Sequence, residues 1–264
     1  MKIPFTKAHG TGNDFIIFIK NECPDIISNS NFIQKACSRR TGIGADAVLI
    51  LSDENNYDFK MDYYNSDGSW ETFCANGARC ATKLMFQKGI IRKITEFVSG
   101  DGHHKAEILE NGLVRLKMIP PSYQSEILDI DGYSGRHVDS GARHFATEVT
   151  GFSLEKATKF APKIRYSPEF APKGINVNFY EKLDKSTIKV ITYEKGIEKI
   201  MLSCGSGSVA ASYHASQNHQ FKSPIKVKVR GGELLVEFDE NWKNVWLTGP
   251  ATILFSATID IENF

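Results

Sequence analysis

Residues 65–84, NSDGSWETFCANGARCATKL, decide how this chain is read, because residues 202–212, LSCGSGSVAAS, repeat their core in shorter form. In both, a cysteine is followed by a small residue, a polar residue and a glycine, and then by small side chains suited to a helix: Cys74-Ala-Asn-Gly77 and Cys204-Gly-Ser-Gly207. Each thiol is therefore expected where a helix begins. A helix N-terminus carries partial positive charge and unsatisfied backbone N–H groups, so it lowers a thiol's pKa and can hold an anion such as a carboxylate. Two such thiols facing one another would make an acid/base pair.

Working outward, the chain after each cysteine has one layout. Strands are expected at 95–99, 104–109 and 113–119, closed by Pro120-Pro121, and again at 225–229, 233–238 and 245–248, closed by Gly249-Pro250. The first turn follows Cys74 by about 26 residues and Cys204 by about 27, and the cysteines are 130 positions apart. So long a period with matching order signals two homologous halves and not a solenoid of short repeats. Pro120-Pro121 is the expected junction. The tail 252–261 reads as an edge strand returning to the first half. The expected domains are thus 1–119 plus 252–264, and 120–251.

Before Cys74, strands are expected from Ile3 and over 15–19, 47–51 and 58–64, with a helix over 31–40 that makes Cys37 a core residue. The turn His9-Gly-Thr-Gly12-Asn13-Asp14 places Asn13 either as a turn former or as a ligand-facing amide. Gly42-Ile-Gly44 precedes a strand and lacks a third glycine, so it is no dinucleotide fingerprint. In the second half, a strand over 135–140 turns at Gly141-Ala-Arg143-His144. A loop rich in Pro and Lys then leads to strands over 174–180, 188–193 and 199–203.

Composition narrows the function. With 32 basic and 31 acidic residues in 264 and no long basic run, a nucleic-acid surface is unsupported and a small-molecule partner is expected. No apolar run approaches the roughly 18 residues of a membrane span, and MKIPFTKAHG lacks a signal-peptide pattern, so a cytoplasmic protein is expected. Five scattered cysteines without C-x-x-C spacing argue for free thiols and against a disulfide framework or a metal site.

Abstracting an amino acid's α-proton leaves a very basic carbanion, a task often delegated to pyridoxal phosphate. Two thiols offer a route with no cofactor: one as thiolate takes the proton from one face, and the other as thiol returns one to the opposite face. A lone cysteine at a helix start is more often a packing residue. Two in equivalent positions of a repeat, amid Gly, Asn and Ser, reverse that balance, whereas Cys80, inside its helix, reads as packing. A cysteine hydrolase would need a histidine base and leave one thiol idle. A redox protein would require a functional Cys74–Cys204 disulfide. A silent amino-acid-binding protein would not need both thiols.

The segments KAHGTGNDF, RRTGIGAD, YYNSDGSWETFCANGARCA, NVNF, YEKG, CGSG and LTGPA, in this order, resemble the signature segments of the diaminopimelate epimerase family over essentially the whole chain. The resemblance implies an α/β fold of the α+β type. It consists of two pseudo-symmetric domains, each a mostly antiparallel sheet wrapped around a central helix, with the active site in the interdomain cleft. It also implies cofactor-independent interconversion of LL- and meso-diaminopimelate in lysine biosynthesis, in a homodimer. Cys74 and Cys204 match the two acid/base residues. Asn13, Asn65, Ala75, Asn76, Asn176, Glu194, Lys195, Gly205 and Ser206 match substrate contacts, and His144 and Glu194 match residues that tune the thiols. The chain departs from the family pattern at Ala47, Ala142 and Arg143, and at Lys195, where an arginine usually forks onto the distal carboxylate. The alternative activity is racemisation of a different small amino acid.

Overall fold

A computed structural model describes residues 1–263 of the chain and resolves two compact units: Met1–Leu116 with the tail from Gly249, and Lys117–Thr248. Both divisions fall a few residues ahead of the prolines expected to mark them, because the strands Val114–Met118 and Val245–Gly249 run through the junctions.

In the first unit, Thr252–Asp260 pairs with Lys2–Gly10, and the sheet continues through Asn13–Ile19, Ala47–Glu54, Tyr57–Asn65, Ile94–Ser99, Gly102–Ile108 and Val114–Met118. From Lys2–Gly10 onward the neighbours run antiparallel, parallel, antiparallel, parallel, antiparallel, antiparallel. The second unit gives the same succession through Tyr133–Asp139, Arg143–Glu148, Asn176–Lys182, Thr187–Glu194, Ile225–Val229, Gly232–Glu237 and Val245–Gly249. The halves share one topology as well as one sequence layout.

Parallel neighbours cannot be joined by a hairpin and need a crossover, usually helical. That requirement places four helices. The first crossover is α1 (Ser30–Cys37) in one unit and α3 (Leu154–Arg165) in the other; the second is α2 (Ala75–Gln87) and α4 (Gly205–His219). Asn29 caps α1 by accepting from the Asn31 and Phe32 N–H groups. That helix stops at Cys37, short of the expected Arg40, because Gly44 and Ala45 donate to the last-turn carbonyls of Ala36 and Cys37. Phe32, Ile33 and Ala36 pack on Ile16, Phe18, Val48 and Ile50.

The second unit corrects the sequence reading at two points. Residues expected as a Pro- and Lys-rich loop contain α3, and His144, expected in a turn, lies in the strand Arg143–Glu148. Pro162 hid α3, since a proline interior to a helix removes a backbone donor. Its signals were present: Ser153 accepts from the Lys156 N–H as N-cap, and Ala157, Ala161 and Ile164 are spaced for one apolar face that packs on Phe145, Val177 and Phe179.

The central helices differ from α1 and α3 in being enclosed. α2 touches six strands of its unit, from Lys2–Gly10 to the returning Thr252–Asp260, and α4 likewise touches six of its own. A helix buried on every side must carry small residues if strands are to close around it. Gly77, Ala78, Cys80 and Ala81 in α2, and Gly207, Ser208, Ala210, Ala211 and Ser212 in α4, meet that demand. Ala210, completely buried, is a direct test. Ala210→Leu should cost about 1–3 kcal/mol or more in urea unfolding through overpacking, whereas Glu155→Leu, at an exposed position of α3, should cost under about 1 kcal/mol, the loss of an acidic group from a helix's first turn.

Candidate active site

Cys74 and Cys204 are the N-cap residues of α2 and α4, both in extended backbone, and neither helix has a side-chain cap bond. Cys204 is buried and Cys74 half-buried. Around them the two units assemble different polar groups.

In the first unit the Cys74 thiol donates to Asn13 Oδ1 at 3.8 Å, and Asn76 Nδ2 donates to the same oxygen at 3.2 Å. Asn13 Nδ2 donates to Asp46 Oδ2 at 2.9 Å. A carboxylate only accepts, so Asp46 fixes the Asn13 amide with its oxygen toward the thiol. Asp46 is itself held by Arg39, which also forks onto Asp14, and Lys7 pairs with Asp14 at 2.7 Å. Burial works to raise the Asp14 carboxyl, but the hydrogen bonds from Arg39 and Lys7 outweigh it and bring it down to about 2. Beside Cys74, Phe73 stacks on His104 at 4.0 Å between ring centroids.

In the second unit Cys204 Sγ lies 3.7 Å from Ser206 Oγ, and His144 Nε2 lies 2.9 Å from the same hydroxyl. Thr192 donates to Asn178 Oδ1, so Asn178 Nδ2 must be the donor to His144 Nδ1 at 2.9 Å. His144 then carries its proton on Nε2 and donates to Ser206, whose own hydrogen is available to the sulfur. Burial, with a smaller contribution from His137, pushes His144 down to about 3, so the ring is neutral near pH 7. Gly207 must be glycine here: a Cβ would lie 3.2 Å from both Cys204 Sγ and Thr192 Oγ1 and collide with Asn178 Oδ1.

Ala75, Asn76, Gly205 and Ser206 open the two helices. Asn176 orients the loop after Thr187–Glu194, donating to the Arg143 carbonyl and accepting from the Lys195 N–H. Asn65 and Glu194 end equivalent strands. Asn65 is engaged locally, accepting from Tyr63 and donating to Ser69. The Lys195 side chain is exposed. Asn178, Thr192 and Asp46 were not identified from sequence as site residues. For Asn178 a signal existed: an amide buried in a strand between Val177 and Phe179 needs partners. Among the described residues no group of three or more His, Cys, Asp or Glu side chains could hold a metal.

The family model for diaminopimelate epimerase matches residues 5–123 and 136–254. The chain belongs to the diaminopimelate epimerase family. It is 36% identical to the diaminopimelate epimerase of Aquifex aeolicus over 98% of both chains. It is also 36% identical to that of Flavobacterium psychrophilum, over 96% of this chain and 98% of the relative. Solved structures with the same fold include a phenazine biosynthesis protein of the PhzF family from Bacillus anthracis (TM-score 0.76, 12% identity, 99% of this chain and 100% of that one). Another is a hydroxyproline epimerase from Agrobacterium vitis (TM-score 0.72, 14% identity, 98% of this chain and 93% of that one). The two matched segments of the family model fall one in each half of the chain and each contains one of the N-cap cysteines.

The neutral histidine carries a pH signature. His144 and His214, pushed by burial to about 3 and about 4 from the ordinary 6.5, bind fewer protons folded than unfolded. Their stabilisation is complete above about pH 6.5 and is lost as pH falls toward 3 for His144 and 4 for His214, by up to about 1.4 kcal/mol per pH unit for each histidine. Urea unfolding should show that slope in the wild type and a shallower one in His144→Gln; equal slopes would contradict the assignment.

Proposed function

We propose that this protein is an isomerase that interconverts LL- and meso-diaminopimelate in lysine biosynthesis by two-base proton transfer, with no cofactor. The observation that carries this reading is a thiol at the N-cap of each enclosed helix, in two units of one topology, within a family of that name. Cys74 and Cys204 are assigned as the acid/base pair. The N–H groups opening α2 and α4, from Ala75, Asn76, Gly205 and Ser206, would hold the α-carboxylate and the charge that develops beside it.

The hydrogen bonds support complementary protonation states. Asn13 presents an acceptor to Cys74, which favours the thiol, while Ser206 has a hydrogen to offer Cys204, which favours the thiolate. One acid and one base is what a two-base transfer requires. We assign Asn13, Asn65, Asn176, Glu194 and Lys195 to substrate contact, and His144 and Glu194 to tuning the thiols. His144 acts through Ser206. Lys195 can neutralise a distal carboxylate as a point charge, without the fork of an arginine.

We further infer a cytoplasmic homodimer. Cys23, Cys37 and Cys80 are free thiols, and no helix among the described residues is long and apolar enough to cross a membrane. The returning strand Thr252–Asp260 is an apolar edge with Leu254 and Phe255 each half exposed, a surface that a second copy could cover.

Cys74→Ala and Cys204→Ala should each lower epimerisation of diaminopimelate by at least 10²–10⁴-fold, measured by circular dichroism or a coupled assay. Near wild-type turnover in either variant would remove that residue from the pair. Run beside proline, hydroxyproline and other single-centre amino acids, diaminopimelate should be the preferred substrate; the reverse order would make this a racemase of another amino acid. Light scattering should give twice the chain mass, falling to one chain in Phe255→Glu; a monomeric wild type would overturn the dimer.

A further inference from the structure

Arg79, on the first turns of α2, has no solvent exposure at all. Among the described residues its guanidinium bonds neutral acceptors: Nη1 donates to the Ala75 carbonyl at 3.2 Å, and Nη2 donates to Asn76 Oδ1 at 2.8 Å and to Thr11 Oγ1 at 3.1 Å. Its Nε has no partner. No ion pair joins Arg79 to a carboxylate among the described residues. A buried cation left uncompensated is severely destabilising, so one that is built in this tightly calls for a negative charge. The site is shaped for it: Gly10 passes so close that a Cβ would lie 2.9 Å from the Asn76 carbonyl oxygen and 3.3 Å from Arg79 Nη2.

A chain of hydrogen bonds leads from the guanidinium to Cys74. Arg79 donates only, so it fixes the Asn76 amide with its oxygen inward and its Nδ2 toward Asn13 Oδ1, the atom that meets the Cys74 thiol. Asp46 fixes the far side of Asn13. A polarised line thus runs from guanidinium through Asn76 and Asn13 to carboxylate, and Cys74 is bonded to Asn13 within it.

We propose that Arg79 is a positioning residue of the reaction, the buried positive charge that makes the Cys74 thiolate accessible and holds Asn76 and Asn13 in place around it. This rests on the two-thiol reading above. Asn13, as an acceptor, favours the Cys74 thiol, so a compensating cation is needed for Cys74 to serve as base in the reverse direction. Cys80, the neighbouring sulfur, does not fill that role: burial pushes it up to about 12 and keeps it protonated. Burial pulls Arg79 down, so a negative charge nearby is favourable to it, and the hydrogen bonds through Asn76 and Asn13 lead to Cys74. The second unit solves the same problem with a neutral group, His144 through Ser206.

Other charged and titratable groups around α2 do not supply the cation. On the strand Lys2–Gly10, Lys7 is spent on Asp14 and the Gly44 carbonyl, and the His9 ring accepts from the Gly12 N–H. Arg39 is spent on Asp14 and Asp46. His104, stacked on Phe73, is tied to Asp101 at 2.7 Å. On Tyr57–Asn65, Lys60 pairs with Asp62, and Tyr63 and Tyr64 bring no positive charge. Within α2, Lys83 turns to the Gly112 carbonyl. On Thr252–Asp260, Asp260 pairs with the N-terminus at the strand's far end.

The test is the rate of iodoacetamide alkylation at Cys74 and Cys204, resolved by peptide mass spectrometry across pH 5–10 without substrate. In Arg79→Met the Cys74 midpoint should rise by a unit or more, slowing its alkylation about tenfold or more at pH below the midpoint, with Cys204 unchanged. Arg79→Lys, which keeps the charge, should restore most of the wild-type midpoint. If Arg79→Met does not fold, Asn76→Asp gives the guanidinium a carboxylate and should raise the Cys74 midpoint in the same direction. An unchanged Cys74 midpoint in the folded variant, or an equal shift in Arg79→Lys and Arg79→Met, would overturn the proposal. Because no substrate is present, a protein that shows the shift yet fails to epimerise diaminopimelate would sink the functional reading and leave this one standing.

Discussion

Enclosing a helix within a sheet constrains everything else in this molecule. Strands can close around α2 and α4 only if most side chains along them are small. Functional groups are therefore pushed to the helix N-termini, where the backbone N–H groups need acceptors. A cysteine suits that position: it is small enough for the packing and ionisable enough for chemistry. The parallel strand pairs create the enclosure, since their crossovers deliver each helix to its sheet.

Duplication of this arrangement gives two helix starts with thiols, yet the supporting groups are not copies. The first unit places Cys74 beside oriented amides between a carboxylate cluster and a buried guanidinium. The second places Cys204 beside a hydroxyl and a neutral histidine. Identical surroundings would push both sulfurs toward the same protonation state. A reaction that needs one acid and one base is better served by this difference.

Much of this was legible from residues alone, and the reasons are specific. Cys74 and Cys204 announce helix starts through their Gly-, Asn- and Ser-rich surroundings, and the succession of short strands and glycine turns after each reveals the duplication. α3 was missed because Pro162 breaks the expected helix pattern although Ser153 and the Ala157, Ala161, Ile164 spacing mark it. His144 was misplaced because a glycine turn immediately precedes its strand. Arg79 carries no local signal because its importance lies in complete burial: an arginine in a helix reads as a solvated charge unless a sheet surrounds it.

The central claim, that two separate groups handle the two faces of one carbon, is tested most directly by isotope position in the wild-type protein. Unlabelled LL-diaminopimelate is incubated in D2O and sampled at the first few per cent of conversion. Two thiols predict deuterium at the α-carbon of essentially every meso product molecule and almost none in the remaining LL substrate, because the proton removed at one face is not the one delivered at the other. Unlabelled product, or label appearing equally fast in recovered substrate, would mean that a single group works both faces, and would contradict the account.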